Sequence, residues 1–327
     1  MRGTLETLRP IESLPLPASR ERECTAGAPS NQAQTNVLVT LALISGIGLG
    51  SMYGLLALGF YVTYAVSNTV NFAQGSSMML GAVLAYTFAV TWHWPLVLAI
   101  LLALALCAVW GVVVERIAVR PFVRRGSNAW LMATVALGII LENVTLFLFG
   151  KEPRNYPSLL ADNPLFEVSG ITVSPLQVII PAVGLLAAAA LHVVSRDTRV
   201  GKSLLAAAQN PDAARLMGID VGRAIALAYA VSTVFAGIGG ILIAPLFNVS
   251  SDMGTLFGIK AFAVAIVGGI ASASGVVVAG LLYGIVEALV ATLLGSTYTQ
   301  IITFAFVIAA LALLPNGLLG RAGVKKV

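Results

Sequence analysis

Nine apolar stretches, each about as long as one crossing of a bilayer, follow one another along the 327 residues. They run roughly over 37–66, 72–91, 95–115, 129–149, 173–195, 224–247, 258–273, 275–294 and 298–314. Most reach the ~20 residues that a spanning helix needs. The composition agrees, since 58% of the residues are hydrophobic and 10% are charged, against roughly 45–50% and 25% in a soluble domain. The expected fold is therefore all-α, a polytopic transmembrane helical bundle of about eight or nine spans. The first stretch is too long for one upright helix, and Ser272, Ser274 and Gly275 interrupt the 258–294 region. Tilted, broken or re-entrant helices are expected at both places.

Residues 1–35 hold four Arg, four Glu and four Pro with no apolar core. They lack the h-region of a signal peptide and read as a disordered extension, leaving 36–327 as a single transmembrane domain. Basic residues set the orientation. Arg116, Arg120, Arg124 and Arg125 form one group, Arg196, Arg199, Lys202, Arg215 and Arg223 a second, and Arg321, Lys325 and Lys326 a third. The intervening connections hold only Lys151 and Arg154 among Glu152, Asp162, Glu167 and Asp252. The three basic groups are expected inside, which places the N-terminus outside for nine crossings and inside for eight. A net charge of +5 distributed in this way reflects topology and not nucleic-acid binding.

Motifs for chemistry are missing. Gly201-Lys202-Ser203 ends like a phosphate-binding loop, but the glycine required five residues before Gly201 is Arg196. Cys24 and Cys107 form no pair at metal or redox spacing, and His93 and His192 stand alone at span ends. No catalytic residue, cofactor site or metal site is assigned. Ionisable groups inside spans are functional candidates by default. Of these, Glu142 is followed by Asn143, Lys260 lies near enough to a span end to snorkel, and Glu287 is central in its helix. Gly46, Gly50 and Gly54 lie four apart, as do Gly280 and Gly284. Such spacing allows close helix contact, inside the bundle or between subunits.

The segment 199–223 predicts two short helical pieces around Asn210-Pro211. Asn210 would cap the second piece, Pro211 would open it and Gly218 would end it. Ala214, Leu216, Met217 and Ile219 give it an apolar side suited to a groove on a soluble partner or to lipid headgroups.

Four blocks in order carry a resemblance. They are Gly54-Leu-Leu-Ala-Leu-Gly-Phe, then Val70-Asn-Phe-Ala-Gln-Gly, then the 199–219 loop. The fourth is the C-terminal pair of runs from Lys260 to Gly275 and from Leu314 to Arg321. From about residue 36 to 327 the chain resembles the permease family of branched-chain amino acid ATP-binding-cassette importers, and within it the LivH type of subunit. The resemblance implies a translocation subunit in a bacterial inner membrane whose 196–223 loop couples to a cytoplasmic ATPase. Ala206, Ala207, Asn210, Pro211, Ala214, Arg215, Leu216 and Gly218 are the coupling residues so implied. Where the family's loop commonly has an acidic residue, this chain has Gln209 or Asn210. A second permease, identical or homologous, and an extracytoplasmic solute-binding protein are the other implied partners, with membrane lipid around them.

On that footing, cargo passage is expected through the breaks at Asn68–Gly75 and 268–275, where freed backbone groups can line a cavity. Asn71, Gln74, Ser272 and Glu287 are the pathway candidates; Asn71 and Gln74 could instead cap the following helix. The same machine could carry urea or a short amide, and a carrier or channel without an ATPase is the alternative of another class.

Overall fold

Long runs of Leu, Ala, Val and Ile make helices, and Pro and Gly punctuate them. The computed structural model describes residues 31–156, 166–168, 171–173, 175–314 and 316–319. Most of the expected N-terminal extension and the third basic group therefore lie outside the described residues. The chain is helical from Asn31.

In chain order, α1 spans Asn31–Ser67, and α2 spans Gln74–Tyr86 and runs on through a π-helical turn, Thr87–Thr91. Next, α3 (Leu96–Val114) continues through a π-turn, Glu115–Val119, into α4 (Arg120–Arg124), and α5 spans Trp130–Phe149. A small antiparallel hairpin of β1 (Phe166–Val168) and β2 (Ile171–Val173) precedes α6 (Pro175–Asp197). The short helices α7 (Arg199–Gln209) and α8 (Pro211–Leu216) lead to α9 (Val221–Ile243). The chain closes with α10 (Met253–Gly268), α11 (Ala273–Leu294) and α12 (Ser296–Leu313).

Nine helical segments thus fall on the nine apolar stretches. Seven are long and apolar enough to cross a membrane unaided, and α10 is a shorter apolar helix. The fold is a polytopic helical bundle, and the β1–β2 hairpin is a small addition that the hydropathy pattern did not announce. The first stretch proves to be one unbroken helix of 37 residues. At 1.5 Å per residue it is about 55 Å long, so it tilts or projects beyond a ~30 Å hydrocarbon core. The expected interruption near 272 is real: α10 stops at Gly269, whose φ is +84°, and α11 restarts behind Ser272.

The two ends of the bundle differ in charge. Arg154 pairs with Val249 in an antiparallel bridge, so the connection after α5 meets the connection after α9. At the opposite end, Arg116, Arg120 and Arg124 share one cavity of about 750 Å³ with Arg215 and Arg223. Members of both described basic groups therefore lie together.

Most of α1 and α9 is buried, whereas α3, α5, α6 and α12 present wide apolar outer faces. Glycine spacing explains the centre. On α1, Gly46, Gly50 and Gly54 meet Gly280 and Gly284 of α11 backbone to backbone; a Cβ on Gly284 would stand 2.2 Å from the Gly50 nitrogen. The glycine pattern therefore packs within one chain. Helices in lipid lack a hydrophobic force between them, and small residues let dispersion and backbone contact hold them. Further seams join Gly81 of α2 to Gly237 of α9 and Gly111 of α3 to Tyr229 of α9.

Candidate functional site

The expected hairpin between α6 and α9 is present, with each cap as the residue types dictate. Thr198 opens α7, its hydroxyl accepting the Gly201 N–H at 3.0 Å. Asn210 opens α8, its Oδ1 accepting the N–H groups of Asp212 at 3.1 Å and Ala213 at 3.0 Å, with Pro211 at the first helical position. Gly218, at φ +81°, ends it. Its N–H donates to the Arg215 carbonyl, and the Ile219 N–H to the Ala214 carbonyl, both at 3.0 Å. That left-handed position favours glycine because it has no Cβ.

Ala207 and Ala214 are buried, in one apolar cluster with Leu58, Val62 and Val66 of α1 and Val221, Ala224 and Ala228 of α9. Ala206 and Ile219 pack against the same cluster. Leu216 and Met217 project the other way, 89% and 82% exposed. The apolar set expected on one side of α8 is thus divided: Ala214 and Ile219 anchor it, and Leu216 and Met217 form a bare tip. A six-residue helix is too short to keep four apolar positions on one face. Arg215 is held to Asp212 at 2.9 Å on the exposed side.

The break between α1 and α2 is sealed by side chains. Asn71 and Gln74 are fully buried. The Asn71 Oδ1 accepts the Ala73 N–H at 3.1 Å. The Gln74 Nε2 donates to the carbonyls of Ser232 (3.0 Å) and Leu56 (3.4 Å), and its Oε1 accepts the Ser232 hydroxyl at 2.8 Å. One amide therefore joins α1, α2 and α9. Gly59 leaves room for it, since a Cβ there would lie 1.9 Å from the Gln74 Nε2. Thr69 of the unwound segment bonds Tyr229 of α9, hydroxyl to hydroxyl, at 2.8 Å. These bonds satisfy polar groups that hydrocarbon cannot.

Ser272 caps α11, its hydroxyl accepting the Gly275 N–H at 3.3 Å. The Leu318 N–H donates to the Val267 carbonyl at 2.8 Å, which brings the C-terminal segment over this turn. Glu287 is paired with Lys260, Nζ to Oε1, at 2.6 Å. The lysine also reaches the Tyr53 hydroxyl at 3.4 Å. Lys260 does not snorkel. It is 5% exposed, because α10 begins at Met253 and not near 258, which places the lysine in mid-helix.

Sequence reasoning named Glu142 among the ionisable groups inside spans but preferred Glu287 as the central one. Glu142 lies in the inner turns of α5 and accepts hydroxyls from Ser76 of α2 at 3.0 Å and Thr255 of α10 at 2.9 Å. No cation is within ion-pair distance of it among the described residues. A cavity of about 230 Å³ opens beside its carboxylate, walled by Phe60, Phe72 and Phe262 and floored by Gly75, Gly254 and Gly258. The neighbouring Asn143 made Glu142 look like a residue near a span end. Its mid-span count within 130–149 was the available signal.

The described residues form a multi-pass helical membrane bundle with a capped and anchored short-helix hairpin on its basic end, an arrangement consistent with a transport permease. The chain belongs to the family described as branched-chain amino acid transport system / permease component, whose model matches residues 42–311. It is 31% identical over 297 residues to the high-affinity branched-chain amino acid transport system permease protein LivH of Escherichia coli K12, covering 87% of this chain and 96% of that one. Against BraD, the corresponding permease protein of Pseudomonas aeruginosa, identity is 31% over 300 residues, covering 87% and 97%. Over only 104 residues, 31% of each chain, it is 35% identical to the galactose/methyl galactoside import permease protein MglC of E. coli.

Proposed function

We propose that this chain is the membrane-spanning permease subunit of an ATP-driven importer of branched-chain or other aliphatic amino acids, resident in a bacterial inner membrane. Its partners are a cytoplasmic ATPase that receives the α7–α8 hairpin, a second permease and an extracytoplasmic solute-binding protein. The observation that carries the reading is the hairpin itself: two short helices, capped and anchored on one side, that leave Leu216 and Met217 bare on the other. Bare apolar side chains on a helix tip suit a groove in a soluble protein. The adjacent arginines at positions 116, 120, 124, 215 and 223 suit an acidic rim.

Coupling follows from the anchors. Ala207, Ala214 and Ile219 tie the hairpin to α1 and α9, and the glycine seam ties α1 to α11. A push on the tip therefore moves these helices together. The ATPase biases the bundle between two accesses only by binding one of them more tightly. In this scheme Asn71 and Gln74 act at the hinge between α1 and α2, and Ser272 and the Lys260–Glu287 pair hold the α10–α11 turn through the stroke.

The test is copurification and uptake. Replacing Leu216 and Met217 together by Ser removes the copurifying ATPase and ATP-driven leucine uptake in proteoliposomes, while the apparent melting temperature stays at the wild-type value. Leucine transport by the chain alone, without ATP, overturns the reading in favour of a carrier or channel.

A further inference from the structure

We propose that the cavity beside Glu142 is where the permease holds its cargo in transit, with the Glu142 carboxylate receiving the cargo's ammonium group. The proposal deepens the importer reading and rests on it.

Three observations meet at this place. First, the cavity has a carboxylate at one end and three phenylalanines around it. Its volume of about 230 Å³ is below the roughly 300–1,000 Å³ typical of drug-sized ligands, so it suits a small metabolite. An ammonium group answers the carboxylate, and an aliphatic side chain answers the rings.

Second, the carboxylate is expensive where it stands. Charged groups inside spans are paired or face a polar cavity. Glu142 has two hydroxyls but no cation, whereas Glu287 in the same bundle has Lys260 and Glu115 has Arg120. A cation arriving from outside the chain fills that difference.

Third, polar side chains stand on the outer surface here. Thr255 and Asn143 are exposed, and Ile139 and Ile259 are exposed at the cavity's edge. The rest of the α5 outer face is apolar, with Met132, Ile140, Phe147 and Leu148 exposed, so Thr255 and Asn143 form a local polar patch beside the cavity. In the importer reading this polar patch is the part of the α5–α10 surface that faces the passage shared with the second permease.

The backbone beside Glu142 is complementary, since an α-amino acid carries its carboxylate on the same carbon as its ammonium. Neither α2 nor α10 has a side chain capping its N-terminus, and both begin at this cavity with Gly75 and Gly254 in backbone contact. Helix N-termini carry unpaired N–H groups and partial positive charge. They stabilise the Glu142 anion in the empty site and accept the cargo's carboxylate when it is filled.

Two measurements on the assembled complex test this. In membrane vesicles, labelling of Glu142 by dicyclohexylcarbodiimide, read by mass spectrometry, falls in the presence of leucine or leucine amide. It does not fall with 4-methylpentanoate, which keeps the side chain and carboxylate but lacks the ammonium. Glu287, paired with Lys260, serves as the internal reference. In proteoliposomes, E142Q keeps the hydroxyl bonds and the copurifying subunits, but ATP-driven leucine uptake falls at least about tenfold, the scale of one charge-assisted hydrogen bond. E142D retains more uptake than E142Q. Equal protection by 4-methylpentanoate, or E142Q uptake at the wild-type rate and KM, overturns the site. A wild-type complex that moves no aliphatic amino acid under ATP overturns the importer reading instead.

Discussion

Replacing Gly284 by Ala places a methyl group 2.2 Å from the Gly50 nitrogen and 2.3 Å from its Cα, where ordinary contact begins at 3.4 Å. The shortfall is about 1.2 Å, and both neighbours are backbone in the middle of α1, so no rotamer change relieves it. The helices must separate by about an ångström. Opening a packed surface by 0.5–1 Å forfeits a quarter to a half of each contact's ~0.1–0.2 kcal/mol. The glycine seam extends from Gly46 to Gly54, so on the order of twenty contacts are affected and the loss is about 0.5–2 kcal/mol. Residual strain brings it to the ~1–3 kcal/mol typical of overpacked sites. Gly50→Ala, at 2.7 Å from the Gly280 carbonyl, acts on the same gap. The double substitution therefore costs less than the two singles together, because helices already parted by one methyl accommodate the second. Gly48, also on α1, has nothing within 4 Å of the position its Cβ would take. There, alanine gains up to about 1 kcal/mol of helix propensity. The assay is reversible SDS-induced unfolding of the purified chain in mixed micelles. Destabilisation by Gly284→Ala alongside a neutral or stabilising Gly48→Ala is expected. Equal effects at Gly48 and Gly284, or strictly additive losses at Gly50 and Gly284, refute the argument.

Lys260→Met leaves Glu287 buried and unpaired and costs about 3–5 kcal/mol in the same unfolding assay, whereas Lys260→Met with Glu287→Leu recovers most of it, since a buried pair roughly breaks even against apolar residues. Gln74→Ala leaves the Ser232 hydroxyl and carbonyl without the amide and costs about 1–3 kcal/mol. Gly59→Ala is destabilising in the wild-type background and less so in Gln74→Ala, because the amide is the nearest group its methyl would strike and the Ser232 carbonyl at 3.0 Å remains. Asn210→Ala removes the acceptor for two N–H groups at the start of α8 and costs about 1 kcal/mol, seen as faster amide exchange at Asp212 and Ala213.

Features that rest on neighbours in sequence were legible before the fold was known. The nine apolar stretches became nine helical segments, and Asn210, Pro211 and Gly218 took up the cap positions that their backbone preferences favour. The glycine spacing announced close packing but not its partner, because residues 46 and 284 are brought together only by the topology. Lys260 was misplaced for a local reason. The polar residues Ser250, Ser251, Asp252 and Thr255 hid the first turn of α10, so a mid-helix lysine looked terminal. Glu142 was named as a candidate but ranked behind Glu287 for a different one. What sets Glu142 apart is Ser76, Thr255 and three phenylalanines, contributed by α1, the α1–α2 break, α2 and α10, and no local pattern around residue 142 encodes that company.

A transporter needs a part that transmits force and a part that yields, and the contacts in this bundle divide along that line. Between α1 and α11, and between α2 and α9, backbone lies on backbone at glycine. Such seams have no side chain to rearrange and move only as a block. Contact of α5 with α2 and α10 is of another kind: two hydroxyls on a carboxylate, beside a cavity. Hydroxyl–carboxylate bonds exchange with water or with an incoming ammonium at little net cost, since each lost bond is replaced by another of similar strength. The hairpin is anchored to the block, through α1 and α9, and makes no anchor with α5. On the coupling proposed above, force entering at Leu216 and Met217 would reach the Glu142 cavity as displacement of the block past α5, and the bonds that give way would be the ones that a passing cargo can replace.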